Sequence, residues 1–206
     1  MWTTETLWAL GTFFLCFYGY HLVYFYLSRR RPQQTRKGRL RQAVASSLAS
    51  ALAARDYLLV VHQLRNVIMA VTFLASASVL LLGFVISFSG VWESLLEFPN
   101  YLRPQDSPIW LIILTLGVSF FSFLLALRYF NLLSLLVGAE PKLLQEMEGT
   151  DHLTYLTNLF MRGSDAYTLG RRGFIYSVVV TLWFLNIWVF VIATVLVTIW
   201  VAIFDR

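Results

Sequence analysis

Four runs free of Asp, Glu, Lys and Arg, residues 6–28, 66–92, 107–127 and 173–204, alternate with polar or charged segments. Each meets or exceeds the roughly 20 residues that carry a helix across about 30 Å of hydrocarbon. Lipid offers no partners to open backbone groups, so such runs must be helical. The pattern predicts an all-α polytopic membrane protein with four transmembrane helices and long cytoplasmic helical extensions. Residues 1–206 then form a single membrane domain, with inner segments 29–65 and 128–172.

The segments between the runs are themselves patterned. No Gly or Pro interrupts residues 39–82, and Leu40, Val44, Leu48, Ala51, Leu52, Leu58 and Val61 mark an imperfect apolar stripe. One helix over that stretch exceeds the bilayer thickness, so its first part is expected along the inner interface or as a stalk. Residues 138–172 read as short helices: Pro141 opens one, Gly149 ends it, Thr150 or Asp151 caps the next, and Gly163 stops that one. The last run, about 48 Å as one helix, is expected to extend below the inner surface. The outer connection, Glu93 to Ser107 with Pro99 and Pro104, reads as a turn.

Composition agrees: 58% of residues are hydrophobic and 13% charged, against about 25% charged in an average soluble domain. The net charge of +5 belongs to topology rather than to nucleic acid, because fourteen of the sixteen basic residues fall in segments 29–65 and 128–172. That asymmetry places those segments in the cytoplasm and both termini outside, in an integral membrane protein of a bacterial inner (plasma) membrane. A cleaved signal peptide fits poorly, since no basic residue precedes the first run and the cluster follows it. Cys16 is alone and the three histidines are dispersed, so no intrachain disulfide, metal site or cofactor is expected.

Several polar groups stand out. Arg65-Asn66 and Arg128 with Asn131 fall at the inner ends of the second and third runs, which antiparallel packing brings to one depth. Charged groups there snorkel, pair or line water, which makes them pore or vestibule candidates. Arg162, Asp165 and Arg172 form a second cluster, in which Asp165 pairs with a flanking arginine while other guanidiniums face an anion-concentrating vestibule. Tyr20 and His21 in the first run and Asn186 in the fourth are intramembrane polar groups best read as interhelical hydrogen bonds. Arg29, Arg30, Arg31, Arg36 and Lys37 suit anionic lipid head groups at the inner face. No catalytic signature is present; His62, His152 and Asp165 are the nearest approach to a dispersed one.

The ordered blocks Tyr20-His21, Gln63-Leu64-Arg65-Asn66, Arg162-Gly163, Tyr167-Thr168-Leu169-Gly170, Arg172-Gly173-Phe174 and Leu182-Trp183 resemble a membrane family catalogued as domain of unknown function 599. The resemblance spans most of the chain. It implies a four-span bacterial or plant membrane protein and brings no activity. The family's proline before Leu-Trp and its later Gly-Pro are replaced here by Val179 and by Leu185-Asn186, so a kink in the final helix is not expected.

Two functions remain. One is a homo-oligomeric channel-like or passive transport protein, anion-conducting, with a basic cytoplasmic vestibule. The alternative is a lipid-binding membrane scaffold or assembly protein without a conducted substrate.

Overall fold

The computed structural model describes residues 4–30, 36–88 and 107–204, and every element among them is helical. The chain starts with α1 (Thr4–Phe14), passes through one π-helical turn (Leu15–Gly19) and continues as α2 (Tyr20–Arg30). Ala9, Phe13, Phe17 and His21 recur every four residues and are all buried. They form the face that this rod turns to the bundle.

The long helix expected from residue 39 is two helices, α3 (Arg36–Ala53) and α4 (Tyr57–Phe88). The break is a Schellman motif: Asp56 N–H bonds the Ala51 carbonyl, Arg55 N–H bonds Leu52, and Arg55 takes φ 55°. Asp56 then accepts the Leu59 N–H at 3.1 Å and caps α4. An arginine in the left-handed region hides the break, because glycine is the usual marker there.

The central element is α5 (Ser107–Leu136), buried at intervals from Ser107 to Leu133. Pro108 occupies its first turn, where the missing N–H removes no helical bond. Next come α6 (Pro141–Glu148), opened by Pro141 and closed by Gly149 at φ 65°, and α7 (His152–Thr181), whose Asp151 N-cap accepts the Thr154 N–H. Those boundaries match the sequence reading.

Gly163 does not stop a helix. α7 runs through Gly163, Gly170 and Gly173, which share one face, and that face lies directly on α5. A Cβ at Gly163 would meet the Phe130 ring at 2.8 Å, one at Gly170 the Phe123 ring at 2.7 Å, and one at Gly173 the Ser119 hydroxyl at 2.5 Å. Small residues let membrane helices approach this closely.

The last apolar run also departs from its expected form. Residues 173–204 are not one helix: α7 ends at Thr181, a single 3-10 turn follows (Leu182–Phe184), and α8 (Ile187–Phe204) runs back. Tyr176 and Thr198 share a hydrogen bond of 2.6 Å, whereas 22 residues of unbroken helix span roughly 33 Å. Asn186 is the turn's polar residue; its side chain accepts the Trp188 N–H at 2.8 Å. It therefore caps a helix rather than bridging two. α8 packs on α1, with Ile187 and Trp188 beside Glu5 and Trp8, while Phe204 at its other end accepts a bond from Arg36. The N-terminal end of α1 and the C-terminal end of α8 thus lie at opposite ends of the bundle.

Among the described residues four helical stretches, Thr4–Tyr24, Tyr57–Phe88, Ser107–Leu136 and Ile187–Phe204, are long and apolar enough to cross a membrane. α7 lies among them and carries the chain from the basic end, where α3 sits, to the far end. The core has two parts threaded by α5. Towards the basic end, Leu48, Val60, Leu64, Leu133, Leu156 and Leu159 pack together; towards the far end, Phe13, Phe17, Leu116, Tyr176, Val180 and Phe190 do so.

Gly170→Ala is expected to cost about 1–3 kcal/mol, the usual range for overpacking. Gly117→Ala, with nothing within 4 Å of the new Cβ, is expected to stabilise by roughly 0.5–1 kcal/mol. Thermal unfolding in detergent checks both, and equal midpoints would refute the close α5–α7 contact. In a Cys16→Ser background, Thr4→Cys and Phe204→Cys should react with a membrane-impermeant maleimide from opposite sides of oriented vesicles. Labelling from one side would contradict the α7–α8 hairpin.

Candidate functional site

Between α2, α3 and α7, at the basic end, lies a cleft of about 210 Å³. Each wall comes from a helix already fixed by packing. The glycine face holds α7 against α5, and Arg172, about 200° around the helix from Gly170, is thereby turned away from α5. It points between α2 and α7. Arg172 is 1% exposed, the largest of the fully buried side chains. Its guanidinium carbon lies 5.3 Å from the Tyr20 ring centroid and 4.9 Å from that of Tyr24. The two rings stack on each other at 6.1 Å. A desolvated cation over aromatic faces gains about 2 kcal/mol or more per good contact, and the ring faces leave the guanidinium edge to carry its N–H groups.

Depth makes that burial expensive. Gly163 faces Phe130 and Gly173 faces Ser119, so Arg172 lies about eight residues deeper along α5 than Arg128, roughly 12 Å. A charge at such depth costs a few kcal/mol unless water or a counter-charge reaches it. Arg172 lines the cleft, whose walls also carry Asp165, Ser164 and Thr168.

Its rim is cationic. Arg36, Lys37 and Arg171 line it with Arg172, and among the described residues Asp165 is the one carboxylate there. Asp165 pairs with Lys37 across the α3–α7 contact, at 2.7 and 2.8 Å to its two oxygens. The partner expected from the sequence was one of the flanking arginines; the helical path of α7 carries Arg162 to the exposed side and presents Asp165 to α3 instead. Arg36 gives one N–H to the Phe204 carbonyl at 3.2 Å, and Arg41 bonds the Asn158 side chain at 2.7 Å. The start of α3 is thus tied to both α7 and α8 by polar contacts, while Val44, Leu48, Ala51 and Leu52 of its apolar stripe pack into the core farther along.

His21 lines the cleft beside Tyr24, buried, with its Nδ1–H donating to the Phe17 carbonyl in its own helix. The sequence reading placed that bond on a neighbouring helix. The π-helical turn at Leu15–Gly19 sits directly before Tyr20 and His21. Wide turns of this kind re-aim the residues that follow and concentrate at functional sites. Beyond the cleft's lining, one turn along α7 from Arg172, Tyr176 belongs to a cluster of stacked and edge-on rings: Phe17 and Phe13 meet it at 5.1 and 5.8 Å, and Phe13 meets Phe190 at 6.0 Å.

The structure divides the sequence-derived candidates. It gathers His21, Arg36, Lys37, Asp165 and Arg172 at one cleft, with Tyr20 on the Arg172 guanidinium. Arg65, Asn66, Arg128, Asn131 and Arg162 are exposed and outside this cleft. Arg29, Arg30 and Arg31 lie outside the described side chains. Tyr24, Thr168 and Arg171 line the cleft without being among the site candidates read from the sequence, where Arg171 entered only as a flanking partner for Asp165; the Gly170-Arg171-Arg172-Gly173 order was the available signal for the arginines, since it puts two of them on a helix whose small face is spent on packing. His152 bonds the Leu136 carbonyl at 3.4 Å and lies roughly 20 Å along α7 from Asp165, so these do not assemble a catalytic set. Among the described residues no three His, Cys, Asp or Glu side chains converge as metal ligands. What the arrangement can do chemically is hold an anion.

No curated protein and no solved structure matches the chain. The family model described as "Protein of unknown function, DUF599" matches residues 8–206, nearly the whole length, and the chain belongs to that family.

Proposed function

We propose that this protein is a channel-like or passive transport protein for anions, working as a homo-oligomer, with the cleft as the inner half of the path. The observation that carries the reading is Arg172, 1% exposed, at the end of a cleft ringed by three further cations and one already paired carboxylate. Buried intramembrane charge marks ion and substrate routes more often than it marks structure. The basic distribution favours a cytoplasmic cleft, the start of the chain outside and the end of α8 inside. The inner membrane of a bacterium fits this arrangement.

In this conformation the Phe13, Phe17, Tyr176 and Phe190 rings form a packed cluster beyond the cleft's lining. Passage requires those rings to part. The π-helical turn and the 182–186 break flank them and are the places where the helices are least regular. Arg65, Asn66, Arg128 and Asn131 stay within the proposal as an interface or second vestibule, which needs several copies around an axis to bring them together.

The packed ring cluster also favours a second reading, a scaffold that binds anionic lipid at the inner face through the cleft, Arg36, Lys37 and Arg29–Arg31. Flux separates the two. Purified protein in liposomes should pass anions over cations; Arg171→Gln should lower that flux and Arg172→Gln remove it, at least tenfold. Silent liposomes containing folded protein would overturn transport and leave the scaffold.

A further inference from the structure

We infer that the cleft binds a phosphate group, bare or esterified, in preference to a halide or a carboxylate. The inference takes its site from the anion-handling reading but does not need transport. Three features set the chemistry. Three of the four cations, Arg36, Arg171 and Arg172, are arginines, whose planar forks suit the several oxygens of a tetrahedral oxyanion better than a single spherical ion. Cations outnumber carboxylates among the described lining residues: Arg36, Lys37, Arg171 and Arg172 stand against Asp165, which Lys37 holds on both oxygens. A monovalent carboxylate or chloride balances only part of that difference.

The third feature is room. A cavity of about 210 Å³ is several times the roughly 30 Å³ share of one liquid water, which is far more than a lone halide fills. Its walls are mixed, with Tyr24, Leu40 and Leu169 beside the cations, so an organic group attached to the phosphate also finds contact. Leu40 is exposed on α3 at the basic end, where a membrane phospholipid and a soluble phosphate can both enter. Arg36 reaches the ligand while its Nη1 remains on Phe204, since the guanidinium has five N–H groups.

The test is binding to delipidated full-length protein. Inorganic phosphate and chloride are compared at matched ionic strength by thermal shift and 31P NMR. Phosphatidylglycerol and phosphatidylcholine are compared in nanodiscs by native mass spectrometry. Either phosphate over chloride, or phosphatidylglycerol over phosphatidylcholine, is expected; the first names a soluble ligand and the second a lipid. Arg171→Gln and Arg36→Gln, both exposed and compatible with folding, should each weaken the preferred ligand about tenfold or more. Arg172→Gln should do so further if it folds. No preference in either comparison, or unchanged affinity in folded Arg171→Gln and Arg36→Gln, would overturn the inference. Phosphate binding with silent liposomes would keep it and remove transport.

Discussion

The close approach of α7 to α5 along Gly163, Gly170 and Gly173 governs the rest of the molecule. Without side chains on that face, Phe130, Phe123 and Ser119 of α5 sit against the α7 backbone. In lipid the hydrophobic effect does not drive helices together, so contact of this kind has to come from packing. Once α7 is seated, the residues between Gly170 and Gly173 have little choice of direction. Arg172 goes to the Tyr20–Tyr24 pair, Arg171 to the rim, and Asp165, farther back on the same helix, to Lys37 of α3. The cleft is a consequence of how two other helices pack.

The buried arginine and the aromatic rings work as a pair of opposites. Tyr20 and Tyr24 compensate part of the desolvation of Arg172, while Phe13, Phe17, Tyr176 and Phe190 exclude solvent just beyond it. This combination leaves a positive field focused inside low-dielectric walls. On the proposed reading, such a field concentrates anions whatever use the protein makes of them. The use depends on whether the rings part.

Much of the fold was legible from residues alone, and the failures share a cause. Apolar run lengths identified the helices, and Pro141, Gly149 and Asp151 marked the ends of α6 and the start of α7, because each has its backbone role wherever it occurs. Gly163 was misread because a glycine that ends a helix and one that admits a neighbour look alike in one sequence. The breaks at Arg55 and at Leu182–Asn186 lack glycine and proline, and the second is made almost wholly of apolar residues. A hairpin in lipid needs little polarity when Asn186 alone caps the returning helix. That hairpin brings the end of α8 to the basic end. At the site, residue type pointed to arginine and anions, but the partners could not be read, since Asp165 meets a lysine 128 residues away.

The central claim is an anion-attracting aqueous cleft running from the basic end to Arg172, and its most direct measurement is the charge preference of a thiol placed inside it. With Cys16 replaced by serine, Ser164→Cys on the cleft wall should react from the basic side several-fold faster with an anionic sulfonate thiosulfonate reagent than with its cationic ammonium counterpart. Equal rates, a faster cationic reaction, or no reaction at all in folded protein would contradict the account.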